Sequence, residues 1–234
     1  MFSKKEYKNL IVCAITLGFL FSFAEWGFEK FSISIGIANL LISFVISLII
    51  LLSREFIRKL VAKKIGFEVE FNLWTIKGKG LKSRSVPIGI IISLITIFIS
   101  NGSFIFASLS KFDLKSYSKK DLKRRYEYIR GIEEAVIASV GALVPTVLAL
   151  LFALFYFQKA ILISTIIAIY SIVPLPSQDG LKMYFGSIWY YLLITLFTIF
   201  SLIFLKTLNP LLSLIIAASL AVLITFLSFY QLNK

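Results

Sequence analysis

Four ionisable side chains lie where apolar segments of the sequence end, and their types decide what chemistry the chain could do. Arg54, Glu55 and Arg58 directly follow a long apolar run, and Asp179 lies in the later polar stretch PLPSQDGLK. Arg54 and Arg58 are four residues apart, so in a helix they lie on one face. Carboxylates can act as general bases or metal ligands, whereas arginine stays protonated and offers only donors. This set favours ion pairing.

Histidine, the usual general base near neutral pH and the commonest metal ligand, is absent from the sequence. Cys13 is the only cysteine, so the chain cannot form an internal disulfide bond. Carboxylates and basic side chains are therefore the main groups left for any site chemistry.

The elements that must position these residues are membrane spans. Hydrophobic residues make up 59% of the 234 residues, more than a soluble domain of this length carries. The formal net charge of +13 is compatible with nucleic-acid binding, but the basic residues cluster beside apolar runs, where they set membrane orientation and attract anionic lipid. The composition therefore predicts a multi-pass protein of the cell membrane, with membrane lipid as a partner and no nucleic acid.

Seven apolar runs are candidates for spanning helices, which need about 20 residues each in hydrocarbon. They are Leu10–Ala24, Ile33–Leu52, Val86–Ser110, Ala135–Phe157, Ala160–Val173, Met183–Leu205 and Leu211–Leu232. Lysines before the first run place the N-terminus in the cytoplasm by the positive-inside rule, and the later spans return the C-terminus to the same side. The predicted fold class is an all-α polytopic membrane protein of about six transmembrane helices, forming a single integral membrane domain over residues 1–234.

The run Val86–Ser110 has two interpretations. Residues 111–130 carry eight basic and three acidic side chains, a balance of +5 that favours the cytoplasmic side. A single crossing would put this loop outside. The alternative is a re-entrant hairpin over residues 86–110, which turns at Asn101-Gly102 and is buried against other helices.

Residues 67–76, FEVEFNLWTI, alternate between apolar and polar side chains. A period of two is typical of a β-strand rather than a helix. Gly78 and Gly80 then interrupt the pattern. The stretch predicts a short β segment at the membrane surface, to which an extended segment of a partner can add as a further strand.

Three separated stretches carry a family resemblance in one consistent order. They are REFIRKLVAKKIG at 54–66, IASVGALVPTVLALLFAL at 137–154 and YSIVPLPSQDGLKMYFGS at 170–187. The first is similar to the HExxH helix of site-2 proteases, which are intramembrane zinc metalloproteases. The second resembles the AGPLVN helix of that family, and the third resembles its NLLPIPPLDGxKIFFG segment, which supplies the third metal ligand. The resemblance covers roughly residues 35–190, and further C-terminal helices occupy 183–232.

The resemblance implies the fold of that family, but the departures fall on its metal ligands. Arg54 and Arg58 replace the two zinc-binding histidines, whereas Glu55 and Asp179 occupy the positions of the general base and the aspartate ligand. Catalytic zinc ordinarily takes three protein ligands, and arginine carries the same sign of charge as the metal. We therefore expect a pseudoprotease that is not an enzyme, with no catalytic residue, no metal site and no cofactor, zinc included.

Three further positions depart from the family pattern. Ala142 and Pro145 replace the proline and the asparagine of the middle motif, and Ser171 replaces the asparagine that opens the last segment. Because two arginines now accompany two carboxylates, at least one of the arginines is expected to bond Asp179 and close the old site as a structural ion pair.

Other interpretations of the same residues stay open. Without the resemblance, Arg54 and Arg58 would be a charged collar at the membrane surface, Asp179-Gly180 a turn, and Gly141-Ala142 small residues for helix packing. An active intramembrane metallopeptidase with an unconventional site is one alternative function, and a small transporter or lipid-binding protein is another. The leading hypothesis is a binding or regulatory protein whose partner is a transmembrane helix or an extended segment of another membrane protein.

Overall fold

The computed structural model describes residues 2–26, 32–77, 85–116 and 131–232. Contacts divide the chain into two compact units, one formed by residues 1–52 and 70–113 and the other by residues 53–69 and 114–234. The single integral domain over 1–234 stays a prediction, and most of the basic loop at 111–130 lies outside the described residues.

The described ranges contain eight α-helices and four short strands. The helices are α1 (Lys4–Ser22), α2 (Ile33–Ile65), α3 (Ile88–Ile99), α4 (Gly131–Leu154), α5 (Gln158–Ile172), α6 (Asp179–Gly186), α7 (Ile188–Phe204) and α8 (Pro210–Leu232). The strands are β1 (Phe67–Leu73), β2 (Ile76–Lys77), β3 (Ser85–Val86) and β4 (Ser110–Ser116). β1 pairs with β4, and β2 pairs antiparallel with β3. The β segment predicted at 67–76 is confirmed over Phe67–Leu73, whereas Ile76 begins the separate strand β2. Gly78 and Gly80 lie outside the described residues.

Among the residues that the structure describes, three helices are long and apolar enough to cross a membrane, judged by length and composition: α2, α4 and Pro210–Gln231 of α8. α3, α5 and α7 are also apolar, but they are shorter, at 12, 15 and 17 residues. α2 and α8 expose many large apolar side chains, as helices that face lipid do. These features fit the membrane protein that the composition predicts.

The predicted span Met183–Leu205 is wrong as a single helix. α6 ends at Gly186, and Ser187 has extended backbone angles, with φ −167° and ψ 117°. The Ser187 hydroxyl then accepts the backbone N–H of Tyr190 and caps the start of α7. The apolar pattern continues across this break, so hydropathy alone does not reveal it.

A hairpin occupies residues 86–110 in the first unit. α3 is followed by a turn in which Asn101 and Gly102 both have positive φ, at 50° and 83°. Residues 104–109 then return as an extended arm. A Cβ atom at Gly89 would lie 2.6 Å from the carbonyl oxygen of Ser108, so the two arms end side by side. The predicted turn at Asn101-Gly102 is confirmed.

In the second unit, α4 packs against α5, α6, α7 and α8. Ala149, Ala168 and Leu202 form a buried apolar cluster between α4, α5 and α7. Gly131 and Gly186 allow α6 to lie directly against α4, because a Cβ at Gly186 would be 2.2 Å from the Gly131 carbonyl oxygen. This close packing brings α6 beside α4.

The hairpin predicts that its two ends lie on the same side of the membrane. With the buried Cys13 replaced by alanine, single cysteines at Ser85 and Lys111 should react with a membrane-impermeant thiol reagent from the same side. Labelling in sealed, oriented vesicles measures this, and both positions should react after permeabilisation. Reaction from opposite sides would show that residues 86–110 cross the membrane once.

Candidate functional site

Arg54, Glu55 and Arg58 are buried side chains of α2, with relative exposures of 6%, 0% and 1%. Nε of Arg54 and Nη1 of Arg58 both donate to Oε1 of Glu55, each at 2.9 Å. The Arg58 pair joins residues three apart on one helix, which are neighbours on its surface. Glu55 is therefore held between two arginines of its own helix.

The second terminal nitrogen of Arg58 reaches α6. Nη2 donates to Oδ2 of Asp179 at 2.5 Å, and Asp179 is 5% exposed. One guanidinium thus bridges two carboxylates, one on α2 and one on α6. The expectation that at least one arginine bonds Asp179 is confirmed, and the surface-collar interpretation is wrong because these side chains point into the protein.

The backbone before α6 places Asp179 against the end of α5. Ser177 has a positive φ of 64°, and the N–H of Gln178 donates to the carbonyl oxygen of Leu175 at 3.0 Å. A Cβ at Gly180 would lie 2.4 Å from the carbonyl oxygen of Val173. Only glycine fits so close an approach. The interpretation of Asp179-Gly180 as a turn is wrong, because the turn lies at residues 175–178 and Asp179 and Gly180 are the first two residues of α6.

Gly141 of α4 forms the surface on which the ion pair lies. A Cβ at this position would be 1.8 Å from Oδ2 of Asp179 and 2.6 Å from Nη2 of Arg58. Gly141 therefore leaves room for the ion pair. This role is more specific than the general helix packing that a small residue suggests.

The other positions that depart from the family pattern do not bond the ion pair. Ala142 is fully buried in α4, and Pro145 is also buried there. The hydroxyl of Ser171 donates back to the carbonyl oxygen of Ile167 at 2.9 Å, within its own helix. Such a bond satisfies a buried hydroxyl without any partner from another helix.

The four side chains Arg54, Glu55, Arg58 and Asp179 carry two positive and two negative formal charges, so the buried cluster is neutral. Moving an isolated ion into a protein interior costs several kcal/mol, and pairing offsets this cost only when the geometry is good. Oε2 of Glu55 is buried and makes no hydrogen bond with any residue in the described ranges. The other Glu55 oxygen, Oε1, carries both arginine contacts.

These residues do not fit the zinc ion that the family resemblance implies. One oxygen of each carboxylate, Oε1 of Glu55 and Oδ2 of Asp179, already accepts a hydrogen bond from the Arg58 guanidinium, at 2.9 Å and 2.5 Å. The sequence has no histidine, and the described residues contain no group of three His, Cys, Asp or Glu side chains close enough to hold a metal. Zinc would lack a third ligand and would lie beside two like-charged groups.

A second ion pair lies near the first. Nζ of Lys182 on α6 is 3.3 Å from Oε1 of Glu134 on α4, and both residues line a cavity of about 170 Å³. Burial lowers the pKa of Lys182, while the charges of Glu134 and Asp179 oppose this shift. Asp179 thus interacts electrostatically with Lys182 as well as with Arg58.

Sequence reasoning missed Glu134, Lys182 and the specific role of Gly141. Two spacings in the sequence could have indicated this second ion pair. Lys182 is three residues after Asp179, and Glu134 is seven residues before Gly141, so each pair shares a helix face. A paired acid and base on the facing sides of two helices could have been proposed from this pattern.

No protein-family model matches the chain, and no curated protein or solved structure matches it either. The resemblance to site-2 proteases therefore depends on the three sequence stretches alone, and membership of that family stays a hypothesis.

Gly141→Ala should destabilise the protein, because the added methyl group occupies the space of Asp179 and Arg58. Separating a buried ion pair typically costs about 3–5 kcal/mol of unfolding free energy. Thermal or denaturant unfolding in detergent measures the loss. The control is Val147→Ala, an exposed position on the same helix, where a change within about 0.5 kcal/mol is expected. Equal stability of both variants would contradict the assigned role of Gly141.

Proposed function

We propose that this chain is a non-catalytic, site-2-protease-like membrane protein that binds a segment of another membrane protein. The observation that supports this most directly is the position of Arg58. Its guanidinium donates to both carboxylates that the resemblance assigns to the general base and the third metal ligand. An arginine cannot activate water as zinc does, because it has no acceptor and stays protonated.

In this proposal the ion pair lies within the hydrocarbon rather than at its surface. The outward face of α2 at the same level remains apolar, with Phe56, Ile57 and Leu60 exposed by 57%, 38% and 47%. Large apolar side chains at that level favour contact with lipid. Ionisable groups at such a depth are rare, and they usually pair or mark a functional site.

The proposed topology has six crossings with both termini in the cytoplasm. The crossings are α1, α2, α4, α5, α7 and α8, and α3 with its extended arm forms a re-entrant hairpin. α5 and α7 would span about 22–26 Å at 1.5 Å per residue, so the bilayer around them would have to be thinner than its usual value of about 30 Å.

The extended arm at 104–109 is the proposed binding edge for a partner. The backbone groups of Ile105 and Ala107 make no hydrogen bond with any residue in the described ranges. In an extended segment, residues two apart direct their N–H and C=O groups to the same edge. Unbonded backbone groups are costly in hydrocarbon, and an added strand would satisfy them. The partner that fits this edge is an extended segment of a membrane protein.

The first test concerns metal and activity. We expect the purified chain to contain no stoichiometric zinc and to cleave no transmembrane substrate. Asp179→Ala should lower the unfolding free energy by about 3–5 kcal/mol, because it leaves Arg58 without one of its carboxylates. The double variant Arg58→Met with Asp179→Leu should recover most of that loss, while Glu68→Ala at an exposed position serves as the control. Stoichiometric metal that is lost together with cleavage in Asp179→Ala would overturn the proposal.

The second test concerns the partner. A photo-reactive residue at Ile105 should crosslink in native membranes to an extended segment of a membrane protein, which mass spectrometry of the joined peptides identifies. Ala107→Pro removes an N–H from the proposed edge, so it should abolish capture while the melting temperature stays close to that of the parent. A photo-reactive residue at Ile215, on the exposed face of α8, is the control and should label lipid. Equal capture of one partner from both positions would contradict the proposed edge.

A further inference from the structure

Two side chains of α1 bond the backbone of β1 at a single residue. Oε1 of Glu6 accepts the N–H of Phe71 at 3.0 Å, and Nδ2 of Asn9 donates to the carbonyl oxygen of Phe71 at 3.3 Å. Glu6 and Asn9 are three residues apart on α1, so their side chains lie on the same helix face. Together they offer Phe71 one acceptor and one donor, as a neighbouring strand would.

These contacts lie on the edge of β1 that faces away from β4. The N–H of Trp74, just after β1, donates to the carbonyl oxygen of Leu109, just before β4, at 2.9 Å. Successive residues of an extended chain direct their backbone groups to alternate edges, so residues 71 and 74 point in opposite directions. α1 therefore occupies the outer edge of β1.

The Glu6 carboxylate is fixed in place by the start of its own helix. It is 3% exposed, and its Oε2 accepts the N–H of Ser3 at 2.7 Å, while the Ser3 hydroxyl accepts the N–H of Glu6 at 3.3 Å. This reciprocal arrangement is a capping box. One carboxylate thus caps α1 and bonds β1, so the order of the first turn and the closure of the strand edge depend on each other.

We propose that Glu6 and Asn9 close the outer edge of β1 by taking the place of a neighbouring strand, and that release of the first turn of α1 opens this edge to an extended segment. Open edges of sheets pair readily with other extended chains, and natural proteins block them. In the closed state, the arm at Ile105 and Ala107 is the edge to which a partner adds. The nature of the partner depends on the proposed function, whereas the closure itself does not.

Hydrogen exchange of the Phe71 amide in the full-length chain tests the closure. Glu6→Ala removes the acceptor, and this amide should exchange about 10- to 100-fold faster, the factor expected for loss of a hydrogen bond to a charged group. Glu6→Gln retains an acceptor oxygen and should keep most of the protection. Lys5→Ala removes only an exposed ion pair with Glu70, so it is the matched control and should leave the exchange rate unchanged.

A second measurement asks whether the released edge becomes available. A photo-reactive residue at Leu73 should capture a membrane-protein segment in the Glu6→Ala variant but not in the parent, while capture from Ile105 persists in both. Equal protection of the Phe71 amide in Glu6→Ala and parent, or equal capture from Leu73 in both, would overturn the closure. Loss of protection without capture at either position would support the closure and contradict the proposed partner function instead.

Discussion

A buried guanidinium must have its charge matched by nearby carboxylates, and this constraint organises the packing around Arg58 in the second unit. Arg58 meets it with Glu55 on its own helix and Asp179 on α6. α6 can come so close only because Gly180 fits against the end of α5, and α4 leaves room only because residue 141 has no side chain. Three helices are therefore packed according to what one arginine requires. The two glycines and the two carboxylates at this site all serve to accommodate the Arg58 side chain.

The ion pair is not in itself a source of large stability. Charges withdrawn from water lose hydration, and apolar residues of similar volume often stabilise a protein as well or better. The ion pair instead makes the charged side chains depend on one another, since each buried charge destabilises the protein when its partners are removed. A metal ion between carboxylates can dissociate and leave them repelling each other. A guanidinium is covalently attached to its helix, so the compensation of charge is permanent.

Some of this arrangement was predictable because the necessary information is local. Alternation over 67–73 indicates a strand, and Asn101-Gly102 indicates a turn. The contact of Arg58 with Asp179 is not local, because the two residues are 121 positions apart, and it was expected only from the resemblance to site-2 proteases. The contact between Gly141 and the ion pair was not predictable, because a small residue in an apolar helix looks the same whatever packs against it. The bonds from α1 to Phe71 were missed for a related reason. Glu6 has the local appearance of an ordinary capping residue, and only the tertiary fold adds a strand to its partners.

An arginine that serves two carboxylates also restricts how such a sequence can change over time. Replacing Arg58 alone leaves two buried carboxylates with only Arg54 to balance them, and replacing Asp179 alone leaves a buried cation short of a partner. A larger residue at 141 is excluded while both remain, since its Cβ would overlap Asp179. Routes toward a different site must therefore pass through several simultaneous changes or through a poorly stable intermediate. Positions 55, 58, 141 and 179 are therefore expected to change together rather than singly in descendants of this chain.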